Sequence, residues 1–274
     1  MTPILDIRDL HLSFRGLRSV TEVLHGVSLQ IGRGQRVALV GESGSGKSVI
    51  ARIILGLLQE TSNAHISGEV LFDEINIRSL SCVGRAAMRG TDMSMIFQDP
   101  TSSLNPAFTI GRQFAEVLRR RDPGLPRQGC SNRAIDMLRE VAIPDPDRVL
   151  GAYPFQLSGG MNQRVMIAMA LANHPKLLLA DEPGTALDVS VQAQTLNMMH
   201  DLVEDHGTSV LLISHNLGVV REVGPYILQG LLNTLLLSAW VIPLGLAAGM
   251  VLALAGFVAG RIGAPPPAPA GLDP

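Results

Sequence analysis

Residues 41–48 read GESGSGKS, and their neighbours leave them little conformational choice. Before them, RVALV is a short apolar run of the kind that forms a buried strand. After them, VIARIILGLL is an apolar helical pattern. The stretch Gly41, Glu42, Ser43, Gly44, Ser45, Gly46, Lys47, Ser48 fits G-x-x-x-x-G-K-[ST]. Its glycines let the backbone bend so that several N–H groups point at one phosphate chain. A helix starting near Lys47 adds its positive end. Lys47 is then placed to reach the β- and γ-phosphates, and the Ser48 hydroxyl to ligate Mg²⁺. The alternative, a chance Gly/Ser-rich turn, does not account for the strand and helix on either side. The motif points to a nucleoside triphosphate.

A second acidic site narrows this. LLLADE is a buried strand ending in Asp181 and Glu182. Asp181 is a candidate Mg²⁺ ligand and Glu182 a candidate for polarising an attacking water. Alone, such an acid pair is equally often a solvated strand end. ILDIRDLHLSF alternates as a half-buried strand does, VLHGVSLQI reads as a second strand, and SVLLIS as a buried one. Residues 106–157 differ: GRQFAEVLRR and SNRAIDMLREVAI are helical, broken by DPGLPR and PDP, and form a helical insertion. Residues 161–173 and 190–206 read as helices and 176–182 as a strand. Strands alternating with helices predict an α/β fold with a mostly parallel core sheet.

The formal net charge of −2 argues against a nucleic-acid partner held by a basic surface. Cys82 and Cys130 lie far apart and form neither a disulfide framework nor a metal cluster, which favours a reducing compartment. The start, MTPILDIRDL, has no secretory pattern.

Between the two phosphate-related sites stands LSGGM, followed by NQRVMIAMALA. This resembles the signature motif of the ATP-binding-cassette (ABC) ATPases. IFQDPTSSLNPAFTIGRQFAEVL, YPFQLSGGM and QRVMIAMALANHPKLLLADEP are similar to the dipeptide, oligopeptide and nickel importer branch. The resemblance covers about residues 3–223. It implies a P-loop NTPase fold and an ATP- and Mg²⁺-dependent ATPase that energises peptide import. Its implied setting is the cytoplasmic face of an inner membrane, paired with a second cassette and with permease subunits. Carried over residue by residue, Ser158, Gly159 and Gly160 face the γ-phosphate held by the other cassette. Gln98 contacts Mg²⁺ and the water, Asp188 links the two nucleotide sites, and His215 bonds the γ-phosphate. Phe14 is a candidate for stacking on adenine or, equally, a core residue. Gly184, Asn162 and Asn216 depart from the usual branch residues without removing a reacting group.

The resemblance stops near Gly224. From Val223 to Gly260 there is no Asp, Glu, Lys, Arg or His. This run exceeds the roughly 20 apolar residues of a membrane span, and its wording resembles the first membrane helix of amino-acid-importer permeases. The expected organisation is therefore a cassette over 1–223, an apolar, membrane-compatible helical segment over 224–260 and a Pro/Ala-rich tail over 261–274. A fusion, a truncated gene or an assembly error would each give this text. Two rival functions follow: a cassette relic that binds ATP without turning it over, and a non-transport cassette acting on DNA or ribosomes. The reacting residues favour an enzyme over the first, and the charge and importer wording oppose the second.

Overall fold

The computed structural model describes residues 2–16, 19–60, 63–183 and 189–215. These all fall within one compact unit, Met1–Val223. The apolar run 224–260 and the tail 261–274 lie outside the described residues. Among the described residues, no helix is long and apolar enough to cross a membrane.

Among the described residues, two four-stranded sheets form the frame. The first strand, β1 (Leu5–Arg15), pairs antiparallel with β2 (Val20–Ile31). Next in the chain come β3 (Arg36–Val40) and α1 (Lys47–Ile54). On its other edge β1 pairs with β4 (Ala64–Phe72), which continues into the short β5 (Ile75–Asn76). The order is β2-β1-β4-β5. In β1, Leu5 and Ile7 are buried, and so are Leu10 and Leu12. Strict alternation would put the second pair on the opposite face. A register shift between Arg8 and His11, with Asp9 at φ 47°, resets the pattern. Gly68 faces this bulge at φ 90°, and a Cβ there would stand 2.2 Å from the Asp9 carbonyl oxygen. Only glycine fits.

The second sheet is parallel. The chain passes through α2 (Cys82–Met88) into β6 (Met93–Ile96), then α3 (Pro100–Ser103). The insertion follows as α4 (Ile110–Arg121), α5 (Arg127–Glu140) and α6 (Pro146–Gly151). Then come α7 (Gly159–Leu171), β7 (Leu177–Asp181), α8 (Val189–His206) and β8 (Ser209–Ser214). The order is β3-β8-β7-β6, all parallel. β7 and β8 are buried along their whole length, which explains their unbroken apolar text. Their residues alternate between two cores. Leu178, Ala180, Val210 and Leu212 join α7, α8 and the insertion. Leu177, Leu179, Leu211 and Ile213 join α1 and the antiparallel sheet. Each such fully buried leucine or isoleucine contributes about 1.5–3 kcal/mol.

The expected parallel core and helical insertion are present. β4, β5, β6, α2 and α3, and the separate antiparallel sheet, have no counterpart among the sequence-based expectations. α1 is also shorter than its apolar text. It ends at Ile54 because Gly56 turns at φ 70° against Arg85, where a Cβ would meet Arg85 Cδ at 2.4 Å.

Polar residues cap the starts of two of the insertion's helices. Thr109 Oγ1 accepts from Arg112 N at the start of α4, and Asp145 Oδ1 from Arg148 N at α6. The insertion is fastened to the rest of the unit by the end of α4. Arg120 donates to the Arg89 and Ala86 carbonyls, and Arg121 to those of Thr91 and Asn173.

Candidate functional site

All four parallel strands deliver residues to one edge of their sheet. Residues 41–46 follow the carboxyl end of β3, Gln98 follows β6, Asp181 and Glu182 end β7, and His215 follows β8. Ligands of open parallel sheets bind in this crevice beyond the strands' carboxyl ends.

The loop between β3 and α1 is shaped for phosphate. Gly44 and Gly46 lie at φ 83° and 90°. At Gly46 a Cβ would stand 2.8 Å from Leu24 Cδ2 and 3.4 Å from the Val23 carbonyl oxygen, so β2 presses directly on the loop. α1 starts without a side-chain cap, leaving its first N–H groups to a ligand. Lys47 is buried. Its ammonium donates to the Gly41 and Glu42 carbonyls at 2.7 and 2.6 Å and to Ser45 Oγ at 3.3 Å. A buried charge needs such partners.

Ser48 Oγ donates to Asp181 Oδ1 at 2.9 Å, across 133 residues of chain. Burial pushes the Asp181 carboxyl above its usual range; the Ser48 bond opposes that, and neighbouring Glu182 adds to it. A hydroxyl and a desolvated carboxylate side by side are hard oxygen donors, the set Mg²⁺ takes while keeping water in its remaining positions. The residues therefore fit the cation the sequence implies.

Glu182 sits in the left-handed region at φ 49°, and its N–H donates to the Ile213 carbonyl at 2.9 Å. A non-glycine residue held there marks a position the surroundings over-determine. Its carboxylate is gripped from two strands. Gln98 Nε2 donates to Oε2 at 3.0 Å, and His215 Nδ1 lies 2.6 Å from Oε1. Lys47, Ser48, Gln98, Glu182 and His215 line one cavity of about 350 Å³.

Ser43 and Gly44 also line it. Gly41, Glu42 and Ser45 act through their bonds to Lys47. Ser158, Gly159 and Gly160 are absent from its lining; they open α7, where Ser158 Oγ accepts from Met161 N at 3.3 Å. Asn162 is buried there and donates to the Pro154 carbonyl, tying α7 to the turn before it. Asp188, Gly184 and Asn216 lie outside the described residues. Phe14 packs against the core of the antiparallel sheet, whereas Val23 and Val49 form the cavity's apolar wall. No sequence motif singles out Val23; only the pairing of β2 with β1 and the contact at Gly46 bring it there.

The two readings of Phe14, core residue and adenine platform, make separable predictions. For Phe14→Ala we expect a loss of about 1–3 kcal/mol, read as a lower thermal midpoint, since a partly buried ring loses part of a full core truncation. MgATP affinity is expected to stay within about twofold. A weakening of tenfold or more with an unchanged midpoint would instead assign the ring to adenine.

A protein-family profile described as ABC transporter matches residues 24–185. The chain belongs to the ABC transporter family. Among curated ABC relatives, the peptidoglycan transport ATP-binding protein YejF of Agrobacterium fabrum is 49% identical over 80% of this chain and 40% of its own length. The probable D,D-dipeptide transport ATP-binding protein DdpD of Escherichia coli is 46% identical over 81% of the chain and 67% of its own. The oligopeptide transport ATP-binding protein OppD of Bacillus subtilis is 43% identical over 81% and 62%. The chain thus spans 40–67% of the length of these relatives. Among solved structures, the ATP-binding cassette MJ0796, dimeric and bound to ADP and Pi after hydrolysis, is similar with TM-score 0.70 and 29% identity. That match covers 80% of this chain and 90% of the cassette. These likenesses support the P-loop NTPase fold of ABC ATPases.

Proposed function

We propose that this chain binds and hydrolyses ATP as the nucleotide-binding subunit of a peptide importer, working at the cytoplasmic face of a membrane with a second cassette and permease subunits. The observation that carries the reading is the convergence of Lys47, Ser48 and Glu182 in one cavity, with Asp181 bonded to Ser48 and Glu182 held by Gln98 and His215. The oligopeptide and D,D-dipeptide names of two of these relatives support the substrate class.

The loop's N–H groups and Lys47 bind the phosphate chain and offset the charge that spreads over the transferring phosphoryl group. Mg²⁺, held by Ser48 and Asp181 with Gln98 beside them, supplies further charge neutralisation when bound. The Glu182 carboxylate accepts a proton from water as that oxygen bonds to the γ-phosphorus. The bond from the γ-phosphorus to the bridging oxygen breaks, giving ADP and phosphate. His215 holds Glu182 through Nδ1 and offers its other nitrogen to a γ-phosphate oxygen. Ser158–Gly160 serve the partner cassette's nucleotide, and Asp188 couples the two sites. The N–H groups at the start of α7 other than that of Met161, which the Ser158 hydroxyl takes, suit that role, and the dimeric form of the MJ0796 cassette agrees with it.

The test is phosphate release by the purified full chain, alone and with an added partner cassette. Turnover that rises with cassette concentration is expected, because each site needs two chains. ATP binding without turnover under both conditions would overturn the reading in favour of a binding-only cassette.

A further inference from the structure

A short turn delivers the chain into the signature motif. Pro154–Gln156 form one turn of 3-10 helix, and Leu157 and Ser158 run extended from it into α7. The turn closes on itself. Tyr153 N donates to Gln156 Oε1 at 2.8 Å, Gln156 N to the Tyr153 carbonyl at 2.9 Å and Leu157 N to the Pro154 carbonyl at 3.1 Å. None of these bonds reaches α7. Leu157, at φ −105° and ψ 152°, and Ser158, at φ −68° and ψ 161°, form the extended pivot on which the turn would swing if nothing held it.

Asn162 holds it. Its Nδ2 donates to the Pro154 carbonyl at 3.0 Å, and its N–H to the Ser158 carbonyl at 2.9 Å. One residue thus bonds both ends of the stretch 154–158. Asn162 is the fourth residue of α7, where an apolar side chain commonly packs on the residue before the cap, here Leu157. An amide is a poor choice for that packing. Asn162 is 4% exposed, and its Oδ1 has no partner among the described residues. Asparagine is also unfavourable inside a helix, and a buried acceptor without a donor costs stability. Against these costs, the amide supplies the bond to Pro154.

We propose, on the two-cassette reading above, that Asn162 is a positioning residue for the signature motif. Its amide fixes the turn on α7 and so sets the direction in which Ser158, Gly159 and Gly160 present their N–H groups to the partner cassette's nucleotide. Asn162 lines no part of the cavity shared by Lys47 and Glu182, so it leaves its own chain's nucleotide site unaltered.

Asn162→Leu separates positioning from stability. Leucine has the same heavy-atom outline but neither the donor nor the orphaned oxygen, and the Pro154 carbonyl keeps its bond from Leu157 N. Its thermal midpoint is expected close to the parent's or above it. Asn162→Ala loses the same donor and leaves a gap, so its midpoint should fall. The assay is phosphate release by the full chain at saturating MgATP over a range of chain concentrations, with circular dichroism to verify folding. Both variants should lose turnover about tenfold, while MgATP affinity by equilibrium dialysis stays within about twofold of the parent. Asn162→Gln keeps an amide on a longer arm, and its turnover should lie between alanine and parent. The proposal is overturned if Asn162→Leu turns over like the parent, if Asn162→Gln is no faster than Asn162→Ala, or if MgATP affinity falls together with turnover. A parent that binds MgATP without turnover at any chain concentration would overturn the two-cassette reading and this role together. A parent whose turnover rises with chain concentration, beside a parent-like Asn162→Leu, would overturn this role alone.

Discussion

Glu182→Gln is expected to retain MgATP and to lose turnover by about 10²–10⁴-fold, the range a positioned general base contributes. Glutamine keeps the size of the side chain. Its carbonyl oxygen can still accept from Gln98 or His215, which meet the carboxylate at 3.0 and 2.6 Å. What it cannot do is take a proton from water. The geometry therefore separates two quantities that a disruptive variant would confuse. Nucleotide binding rests on Lys47, the glycine loop and the Ser48–Asp181 pair, none of which touches the altered atom. Single-turnover hydrolysis beside a nucleotide-binding assay checks both. Parent-like turnover in the glutamine variant would remove Glu182 from the chemistry.

Lys47→Ala is expected to weaken MgATP binding by about 10–100-fold, corresponding to the loss of one or two hydrogen bonds to a charged group. The ammonium is already desolvated, and its bonds go to Gly41, Glu42 and Ser45 of its own loop. It can exchange one of these acceptors for a phosphate oxygen without first being stripped of water. Alanine removes the charge and leaves the Gly41 and Glu42 carbonyls without it, so the loop loses shape as well as attraction. Lys47→Arg is a stricter control. The longer guanidinium keeps the charge but cannot fit the same three acceptors, so its affinity should fall between parent and alanine. Equilibrium dialysis with labelled ATP measures the series.

How much of this was legible in the sequence depended on the range of the contacts. The loop at 41–48 was legible because its glycines, lysine and serine act locally, and the strand and helix that flank it are contiguous. β7 and β8 were legible because strands buried on both faces are written as continuous apolar runs. β6 was missed because its four residues, MSMI, are too short for any period to register. β4 was missed because Gly68 interrupts its alternation, and the reason for that glycine is the Asp9 bulge on another strand. The same limit hid Val23. Its place beside Gly46 comes from the β1–β2 pairing, which no local pattern encodes. The chemistry of Gln98, Glu182 and His215 lies between these extremes. Family resemblance named each one, but their meeting on a single carboxylate depends on β6, β7 and β8 being neighbours.

The central claim is that the carboxyl ends of β3, β6, β7 and β8 form a seat for MgATP. Isothermal titration of the full chain with MgATP addresses it most directly, with circular dichroism to verify folding. Saturable uptake of one nucleotide per chain is expected, lost or strongly weakened by Lys47→Ala and retained by Glu182→Gln. A well-folded sample that takes up no MgATP, or takes it up equally after Lys47→Ala, would contradict it.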